Sequence, residues 1–341
     1  MIHLRRSRLD DLEGLFELAK KAKAGITTLP ADRILLQERL VAVDKAFENK
    51  SNKPGMDSYL FILEDLSKGK IIGTSGIASK IGGYEPHWTY ELKEQSFNSE
   101  TLRTEKIVRY LKLKANHNGP SEIGTLFLDP DERGGPWGRF LSLSRFLFIS
   151  AYKECFESEV IAEMRGEIDD NKSVFWECLG KHFFEMDFEK ADRLSMRDKH
   201  FIAELMPTHP IYVPLLPIQA QEVIGKVHSN TKPALSLLEK EGFKFNQEVD
   251  IFEAGPVVSC PTDKIRSVRE SVFSKCMGVF EPNQDDKPMM IANLSSFESF
   301  SVTLGKVKEG HEQVEVSQDC FESLKFNKGD DLLYCPLYPK E

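Results

Sequence analysis

The sequence lacks the signals by which several specialised classes of protein are recognised. No stretch reaches the ~20 apolar residues that a membrane-spanning helix needs, and the N-terminus has no apolar segment ahead of a small-residue cleavage site. No run of Lys or Arg offers a basic face to nucleic acid, and the formal net charge is -9. We therefore expect a cytoplasmic protein that binds neither membranes nor nucleic acid.

The cysteines also lack the spacing of a metal site. There is no CxxC pair, and no histidine lies at a zinc-like distance from a cysteine along the chain. We expect reduced, mostly buried thiols and no bound metal. The six positions are Cys155, Cys178, Cys260, Cys276, Cys320 and Cys335.

Length and composition indicate a globular protein of about two domains. The chain has 341 residues, of which 40% are hydrophobic and 29% charged, and ~150 residues is a common domain size. After DIFEAGP the chain changes to short alternating runs such as FSVTLGKV and EQVEVS. The sequence therefore predicts an α/β (α+β) domain in residues 1–255 and a small, barrel-like β-domain in residues 256–341.

The first part of the chain is predicted to alternate strands and helices. In order, these are a strand at MIHLRR, a helix from Leu9 to Lys21 opened by a capping box of Ser7 and Asp10, a helix around Arg33 to Asn49, and a hairpin of YLFILED and KIIGTSGIAS. Residues 82–118 are weakly patterned. There we expect long loops with a short helix near Thr104 to Lys112.

The alternation continues through the middle of the chain. The predicted order is a strand at EIGTLFLDP, a long helix at FLSLSRFLFISAYKECF, a strand at VIAEMRG, a helix at NKSVFWECLGKHFFEMDF followed by a strand, a strand at FIAELMP, a short helix in PLLPIQAQEVIGKVH, and a helix in TKPALSLLEKEGFKF followed by a strand. Residues 175–184 and 237–245 echo each other. Either both are helices closed by a glycine, or they are a partial internal repeat.

A glycine-rich turn, DERGGPWGR, joins the predicted strand EIGTLFLDP to the long helix. Backbone amides in such a turn, together with the first turn of the helix, favour an anionic group such as a pyrophosphate. The turn is neither a P-loop with GK[ST] nor a GxGxxG dinucleotide motif. Taken alone, it only suggests a phosphate site.

The order of elements resembles the GNAT superfamily of acyl-CoA N-acyltransferases. In that superfamily, the pyrophosphate of coenzyme A binds an RxxGxG-type turn after a splayed central strand. Arg133 and Gly138 match the outer positions of this turn, but Pro136 replaces the first glycine and has no amide N–H to donate. Gly134 and Gly135 would take over its contacts.

A closer resemblance covers most of the chain. The blocks GITTLP, YLFILED, SEIGTLFLDP, VIAEMRG, FWECLGKHFFEMDF, ADRL, FIAELMP with HPIYV, IGKVH, EGF and DIFEAGP, in this order, resemble the arginine N-succinyltransferase family. The resemblance implies a GNAT-like fold, and transfer of succinyl from succinyl-coenzyme A to the α-amino group of arginine. The products are N2-succinylarginine and coenzyme A, and the reaction belongs to arginine catabolism. Succinyl-coenzyme A is then a cosubstrate, and no tightly bound cofactor is expected.

The resemblance also assigns a catalytic histidine and an acyl-CoA contact. The family's proton donor in IGxVH maps onto His228, which otherwise reads as a polar residue ahead of a helix. A group that titrates near neutrality suits both the attacking amine and the leaving thiolate. His209 is the runner-up, and His182 reads as structural. The family's succinyl-coenzyme A position in TLFL maps onto Leu126, whose backbone amide could stabilise an oxyanion at a strand bulge.

Charged residues at predicted strand ends are candidates for binding the substrates. A guanidinium calls for carboxylates, and a succinyl carboxylate calls for Arg or Lys. Glu163, Arg165 and Glu204 are the candidates, although surface ion pairs are an alternative reading of each. The remaining histidines have no evident partner in the sequence: His3, His87, His117, His200 and His311.

Three questions stay open at this point. The acceptor could be ornithine or another basic amino acid instead of arginine. The chain could also be a non-catalytic coenzyme-A-binding subunit of a hetero-oligomer, for which Pro136 in the phosphate turn is the sequence support. The oligomer itself could be homomeric or heteromeric.

Overall fold

The structure, a computed structural model, describes residues 1–22, 28–169, 172–196, 198–311 and 313–339. Residues 25–27 of the predicted turn GITTLP lie outside the described residues. The strands are β1 (Ile2–Arg6), β2 (Ser58–Asp65), β3 (Lys70–Ala78), β4 (Gly82–Ser99), β5 (Thr104–Asn118), β6 (Ser121–Leu128), β7 (Glu159–Glu163), β8 (Ile168–Asp169), β9 (Lys172–Ser173), β10 (Ile211–Tyr212), β11 (Lys244–Asp250), β12 (Pro256–Pro261), β13 (Val272–Phe280), β14 (Met289–Asn293), β15 (Ser301–Gly305), β16 (Val307–Glu309), β17 (Gln313–Ser317) and β18 (Asp331–Pro336).

Helices lie between these strands. The α-helices are α1 (Leu12–Lys21), α2 (Arg33–Glu48), α3 (Trp137–Ala151), α4 (Lys181–Phe184), α5 (Phe188–Ser195), α6 (His200–Leu205), α7 (Ile218–Val223), α8 (Lys232–Glu241), α9 (Arg266–Arg269) and α10 (Gln318–Ser323). None of the helices in the described residues combines the length and the apolar composition needed to cross a membrane.

Most of the strands join one mixed sheet of sixteen strands. Its order is β10-β5-β4-β11-β12-β7-β6-β3-β2-β1-β15-β14-β18-β13-β17-β16. From β1 to β6 neighbouring strands are antiparallel, whereas β6 and β7 run parallel. This is the arrangement predicted for a GNAT-like acyltransferase, so the predicted fold class is confirmed.

An aromatic core fixes α2 and α3 against the sheet. Phe47 of α2 and Phe148 of α3 lie 5.8 Å apart between ring centroids, and both contact Tyr59 and Phe61 of β2. All four side chains are buried. Because such rings dominate the apolar area that a core removes from water, this cluster sets the position of α3 relative to the strands.

The stretch predicted as long loops forms a hairpin instead. Strands β4 and β5 pair residue by residue from His87↔Asn116 to Ser99↔Thr104, so the short helix predicted near Thr104 is wrong. Many side chains of this hairpin are exposed, and the weak alternation of the sequence reflects that exposure. The first helix also starts differently from the prediction. A 3-10 turn at Leu9–Asp11 precedes α1, and in it Asp11, not Asp10, accepts the Arg8 amide at 2.7 Å.

Two further local predictions are wrong. FIAELMP is mostly helix, α6, instead of a strand. Gly180 has helical torsions and ends a π-helical turn, Trp176–Gly180, that runs directly into α4; no strand follows α4 directly. Gly242, in contrast, ends α8 with φ 105° and is followed by β11, as predicted. The local match between residues 175–184 and 237–245 therefore does not extend to their structure.

The sheet continues across the predicted domain boundary at residue 255. Strand β12, which follows the boundary, lies between β7 and β11, which both belong to the first part of the chain. Strand β15, from the C-terminal part, pairs with β1. Whether the two parts fold as separate domains stays a prediction, but a boundary placed at 255 separates β12 from both of its partners.

A fragment of residues 1–255 therefore tests the boundary. It lacks Val257, Val258 and Cys260, which are at most 2% exposed, and it leaves β7 and β11 without a shared neighbour. We expect this fragment to show no cooperative thermal transition by circular dichroism, whereas the full chain unfolds cooperatively. A transition in the fragment at the temperature of the full chain would contradict this expectation.

Candidate active site

Strands β6 and β7 diverge soon after they meet. Their parallel pairing consists of Ser121↔Val160 and Glu122↔Ile161. Beyond these pairs β6 carries a bulge, since Gly76↔Gly124 and Thr74↔Phe127 place two residues of β6 opposite one of β3. Thr125, inside the bulge, has φ 51°. Divergence and bulge together open the sheet at its centre.

A cavity of about 990 Å³ lies at this opening. Its walls come from β6 and the end of β7, from α2 and α3, and from the loops that follow α5, α7 and β11. Of the predicted site residues, the cavity is lined by Leu126, Arg133, Glu163, Arg165 and His228. The structure thus brings together residues that are far apart in the sequence.

Acidic side chains surround one part of the cavity, namely Glu122, Glu163, Asp192, Asp250 and Glu253. Burial raises the pKa of Asp192 to about 6, and burial together with the charge of Glu163 raises the pKa of Asp250 to about 7. Burial and the charge of Asp250 also raise the pKa of Glu253. Carboxylates crowded in this way favour a cation among them.

A histidine missed by the sequence analysis is part of this acidic group. Nε2 of His87, on β4, lies 3.0 Å from the Glu163 carboxylate. Burial disfavours the charged imidazole, but the charge of Glu163 outweighs this and raises the pKa of His87. Burial likewise opposes ionisation of Glu163, yet His87 holds its pKa below the usual value. His87 therefore has a partner, Glu163, that the sequence did not reveal.

His228 is held at the end of β7. Its backbone amide donates to the Arg165 carbonyl at 2.8 Å, next to a bridge between Gly166 and Val227. On the ring, Nδ1 accepts the Asn230 amide at 3.2 Å. Because Nδ1 acts as an acceptor there, the proton of the neutral imidazole is on Nε2.

Arg165 is tied to the acidic group from the other side. Its Nε lies 3.7 Å from Glu253, and the second oxygen of Glu253 accepts the Gly166 amide at 2.9 Å. The two predicted site residues therefore have different partners: Glu163 contacts His87, and Arg165 contacts Glu253. Both lie at the cavity, as a substrate-binding role requires.

The glycine turn lies at the edge of the cavity, ahead of α3. Gly134 has φ 93°, in the region that favours glycine, and Pro136 stands at the N-cap of α3 with no side-chain cap. The turn is anchored by buried Asp129. Burial alone raises the pKa of this carboxyl, but hydrogen bonds from Lys21 and Lys70 outweigh that and lower it to about 2.

Not every predicted residue reaches the cavity. Gly134, Gly135 and Gly138 belong to the turn and are not part of the cavity wall, although their neighbour Arg133 is. Glu204 lies exposed on α6 and is also outside the wall. Its selection rested on FIAELMP being a strand, which is wrong. Glu204 is therefore not brought together with the other candidates.

The acidic group makes stability depend on pH. The pKa of Asp250, about 7, lies above the ~4 of an unfolded aspartate, so ionisation of Asp250 lowers stability as pH rises from about 4 through 7. Asp250→Asn cannot ionise, yet its Oδ1 can still accept the amides of Phe252 and Glu253. We expect this variant to raise the melting temperature by at least about 2 °C at pH 8, and to have little effect at pH 4.5.

Asp285→Asn, in an exposed loop, is the matched control. Thermal unfolding of the substrate-free protein at both pH values gives the comparison. A gain for Asp250→Asn of the same size at pH 4.5 and pH 8 would show that its carboxylate carries no burial penalty.

The chain is similar to known proteins over nearly its whole length. Residues 2–267 match the family model described as arginine N-succinyltransferase beta subunit. Proteins of Escherichia coli and Shigella flexneri called arginine N-succinyltransferase are each 38% identical, covering 97% of this chain and 96% of the relative. The solved arginine/ornithine succinyltransferase subunit AI of Pseudomonas aeruginosa superposes with a TM-score of 0.90 at 26% identity, covering 99% of both chains. The resemblance seen in the sequence is thus confirmed: the chain belongs to the arginine N-succinyltransferase family of acyltransferases.

Proposed function

We propose that the protein transfers a succinyl group from succinyl-coenzyme A to the α-amino group of arginine. The observation that carries this proposal is the cavity at the β6 bulge, which five carboxylates and His228 line together. The chain that forms this cavity matches its family over nearly its full length. Carboxylates of this kind bind a guanidinium substrate. A backbone amide freed by the bulge can stabilise the oxyanion that forms on the acyl donor. The products are N2-succinylarginine and free coenzyme A.

The acidic group is suited to the cationic end of the acceptor. Asp192, Asp250 and Glu253 have raised pKa values because they are crowded and buried without enough positive charge nearby. A guanidinium placed among them would supply that charge and form bidentate hydrogen bonds. Among the described residues, the indole N–H of Trp88, in the cavity wall, is a buried donor without an acceptor.

The bulge supports the chemistry of the acyl group. Thr125 and Leu126 depart from one-to-one pairing with β3, and Leu126 lines the cavity. An amide that points into the cavity at this position would stabilise the oxyanion formed when the amine attacks the thioester carbonyl. This is the backbone role proposed for Leu126.

His228 is proposed to carry the proton. As the new C–N bond forms and the C–S bond breaks, the amine loses a proton and the coenzyme A thiolate gains one. The hydrogen bond from Asn230 occupies Nδ1, so the proton exchange takes place at Nε2, which passes its proton to the leaving thiolate and takes up the one that the amine loses; the imidazole ends neutral, as it began. The backbone bond to Arg165 fixes the ring beside the end of β7.

The glycine turn is proposed to hold the pyrophosphate of coenzyme A. Arg133 lines the cavity, and the first amides of α3, at Trp137 and Gly138, have no side-chain cap. Pro136 occupies the helix start, where a missing N–H costs little. This placement supports a catalytic chain over a non-catalytic subunit.

Release of free thiol tests the activity. With purified protein, arginine and succinyl-coenzyme A, we expect thiol to appear well above the rate without enzyme, and mass spectrometry to find one succinyl group on the α-nitrogen. Ornithine in place of arginine decides the acceptor, since the related Pseudomonas protein is described with both names. If no free thiol is released with either arginine or ornithine, the proposal is wrong.

Substitution of His228 tests the proton carrier. We expect His228→Ala to lower turnover about 10²-fold or more, because general acid catalysis is lost, with a smaller effect on the KM for either substrate. His209→Ala is the control, since His209 is exposed and lies outside the cavity wall. Turnover of His228→Ala close to that of the unmodified protein would return His228 to a structural role.

Assembly is part of the same experiment. The matched family model carries the words beta subunit, and the Pseudomonas relative is one subunit of its enzyme. We propose that the chain acts as an oligomer with itself or with a related second chain. Size measurement of the active preparation gives the number of chains in the assembly. An assembly with a second, different chain would also need that chain to be added before turnover is seen, whereas an assembly of identical chains would not.

A further inference from the structure

A buried arginine faces the cavity and has no carboxylate partner among the residues that the structure describes. Arg145 of α3 is 2% exposed, and it is the buried cation of the cavity wall among the described residues. Its Nε donates to the Ser142 carbonyl at 2.9 Å, Nη2 to the Ser142 hydroxyl at 3.0 Å, and Nη1 to the Gly124 carbonyl at 3.4 Å. All of these acceptors are neutral, so its charge is not balanced within the described part of the chain.

Burial lowers the pKa of Arg145 to about 9, so the guanidinium is still charged at neutral pH. A guanidinium has five N–H donors, and three acceptors are in place. The remaining donors lie in a cavity wall. A buried cation of this kind is costly unless an anion binds it, which points to a ligand.

The position of Arg145 separates it from the coenzyme A phosphates. It lies roughly two helical turns beyond Trp137, about 12 Å along the axis of α3. Its Nη1 reaches Gly124, the last paired residue before the bulge. Arg145 is therefore at the acyl end of the site, not at the glycine turn.

A second arginine reaches the same bulge. Nη2 of Arg39, on α2, donates to Oγ1 of Thr125 at 2.8 Å. Burial lowers the pKa of Arg39 to about 10, although the charge of Glu122 opposes this shift, and no carboxylate of the described residues lies within ion-pair distance of Arg39. Gly76 makes room for this contact, because a Cβ there would lie 3.0 Å from Thr125 Oγ1 and 3.3 Å from Arg39 Nη2.

Most other cations of the cavity wall already act on carboxylates, and the charge of Lys199 favours ionisation of Glu122 and Glu163. Lys21 pairs with Asp129 and Asp131, and Arg165 pairs with Glu253. Arg133 is exposed at the glycine turn. Arg145 and Arg39 are thus the arginines beside the bulge that have charge to offer an incoming anion.

We propose that Arg145, assisted by Arg39, binds the terminal carboxylate of the succinyl group and so selects a dicarboxylic acyl donor. The inference rests on the proposed function and adds its acyl specificity. When the thioester carbonyl is at the bulge, the acyl chain extends only a few bonds, so its terminal carboxylate stays near Gly124 and Thr125. A planar guanidinium can bind both carboxylate oxygens at once.

Comparison of two acyl donors tests the proposal. Butyryl-coenzyme A has the same four-carbon chain as succinyl-coenzyme A with a methyl group in place of the carboxylate. We expect Arg145→Met to lower kcat/KM for succinyl-coenzyme A about 10- to 100-fold with arginine as acceptor, while the value for butyryl-coenzyme A is unchanged or rises. Arg145→Lys, which keeps the charge, should restore part of the difference.

Two supporting variants keep the test valid if Arg145→Met folds poorly. Ser142→Ala removes the hydroxyl that orients Nη2 of Arg145, and Arg39→Met removes the second cation. Each should lower the preference for succinyl over butyryl in the same direction. Thermal unfolding with each donor gives a readout besides turnover, because succinyl-coenzyme A should stabilise the unmodified protein more than butyryl-coenzyme A.

Three results would overturn the proposal. The unmodified protein could use both donors equally, or Arg145→Met could lower both values by the same factor. The variant could instead reduce the preference for arginine over argininamide, which would place the acceptor carboxylate on Arg145. Absence of turnover with every donor and acceptor is a different result, since it contradicts the proposed function.

Discussion

The site depends on the short parallel contact between β6 and β7. Two residue pairs hold these strands together before they part. The cavity opens at that gap. The bulge of β6 lies on one side of it, and Glu163 and His228, at the end of β7, lie on the other. Had the two strands paired along their full length, the sheet would be closed, and neither acyl donor nor acceptor could reach its centre.

Charge is distributed unevenly around this opening. Glu163, Asp250 and Glu253 form the side toward β7 and β11, whereas Arg39 and Arg145 approach the bulge from the helices. One cavity can therefore receive a cationic amine and an anionic acyl chain from two directions. The low dielectric of the surroundings strengthens both attractions and makes each unpaired group costly until its ligand arrives.

The sequence predicted much of this arrangement, but for different reasons in different places. The strand-turn-helix unit around α3 follows from apolar periodicity, and the selection of His228 and Leu126 followed from the family blocks. Glu163 was chosen because a guanidinium calls for carboxylates at a strand end. His87 and the hairpin that carries it were missed because exposed strands alternate weakly. Arg145 was missed because it lies inside an apolar helix, where a lone arginine has no distinguishing spacing. The prediction for Glu204 was wrong because it assumed a strand where the chain forms α6, and the direction in which a side chain points depends on the secondary structure that carries it.

The insertion of β12 between β7 and β11 has a consequence for synthesis of the chain. Residues 256–261 are synthesised after β1 to β11, so the acidic wall has no complete sheet behind it until then. Strand β1 waits longer still, because its partner β15 begins at Ser301. For most of translation the nascent protein therefore presents open strand edges, the surfaces on which chains aggregate and which chaperones protect.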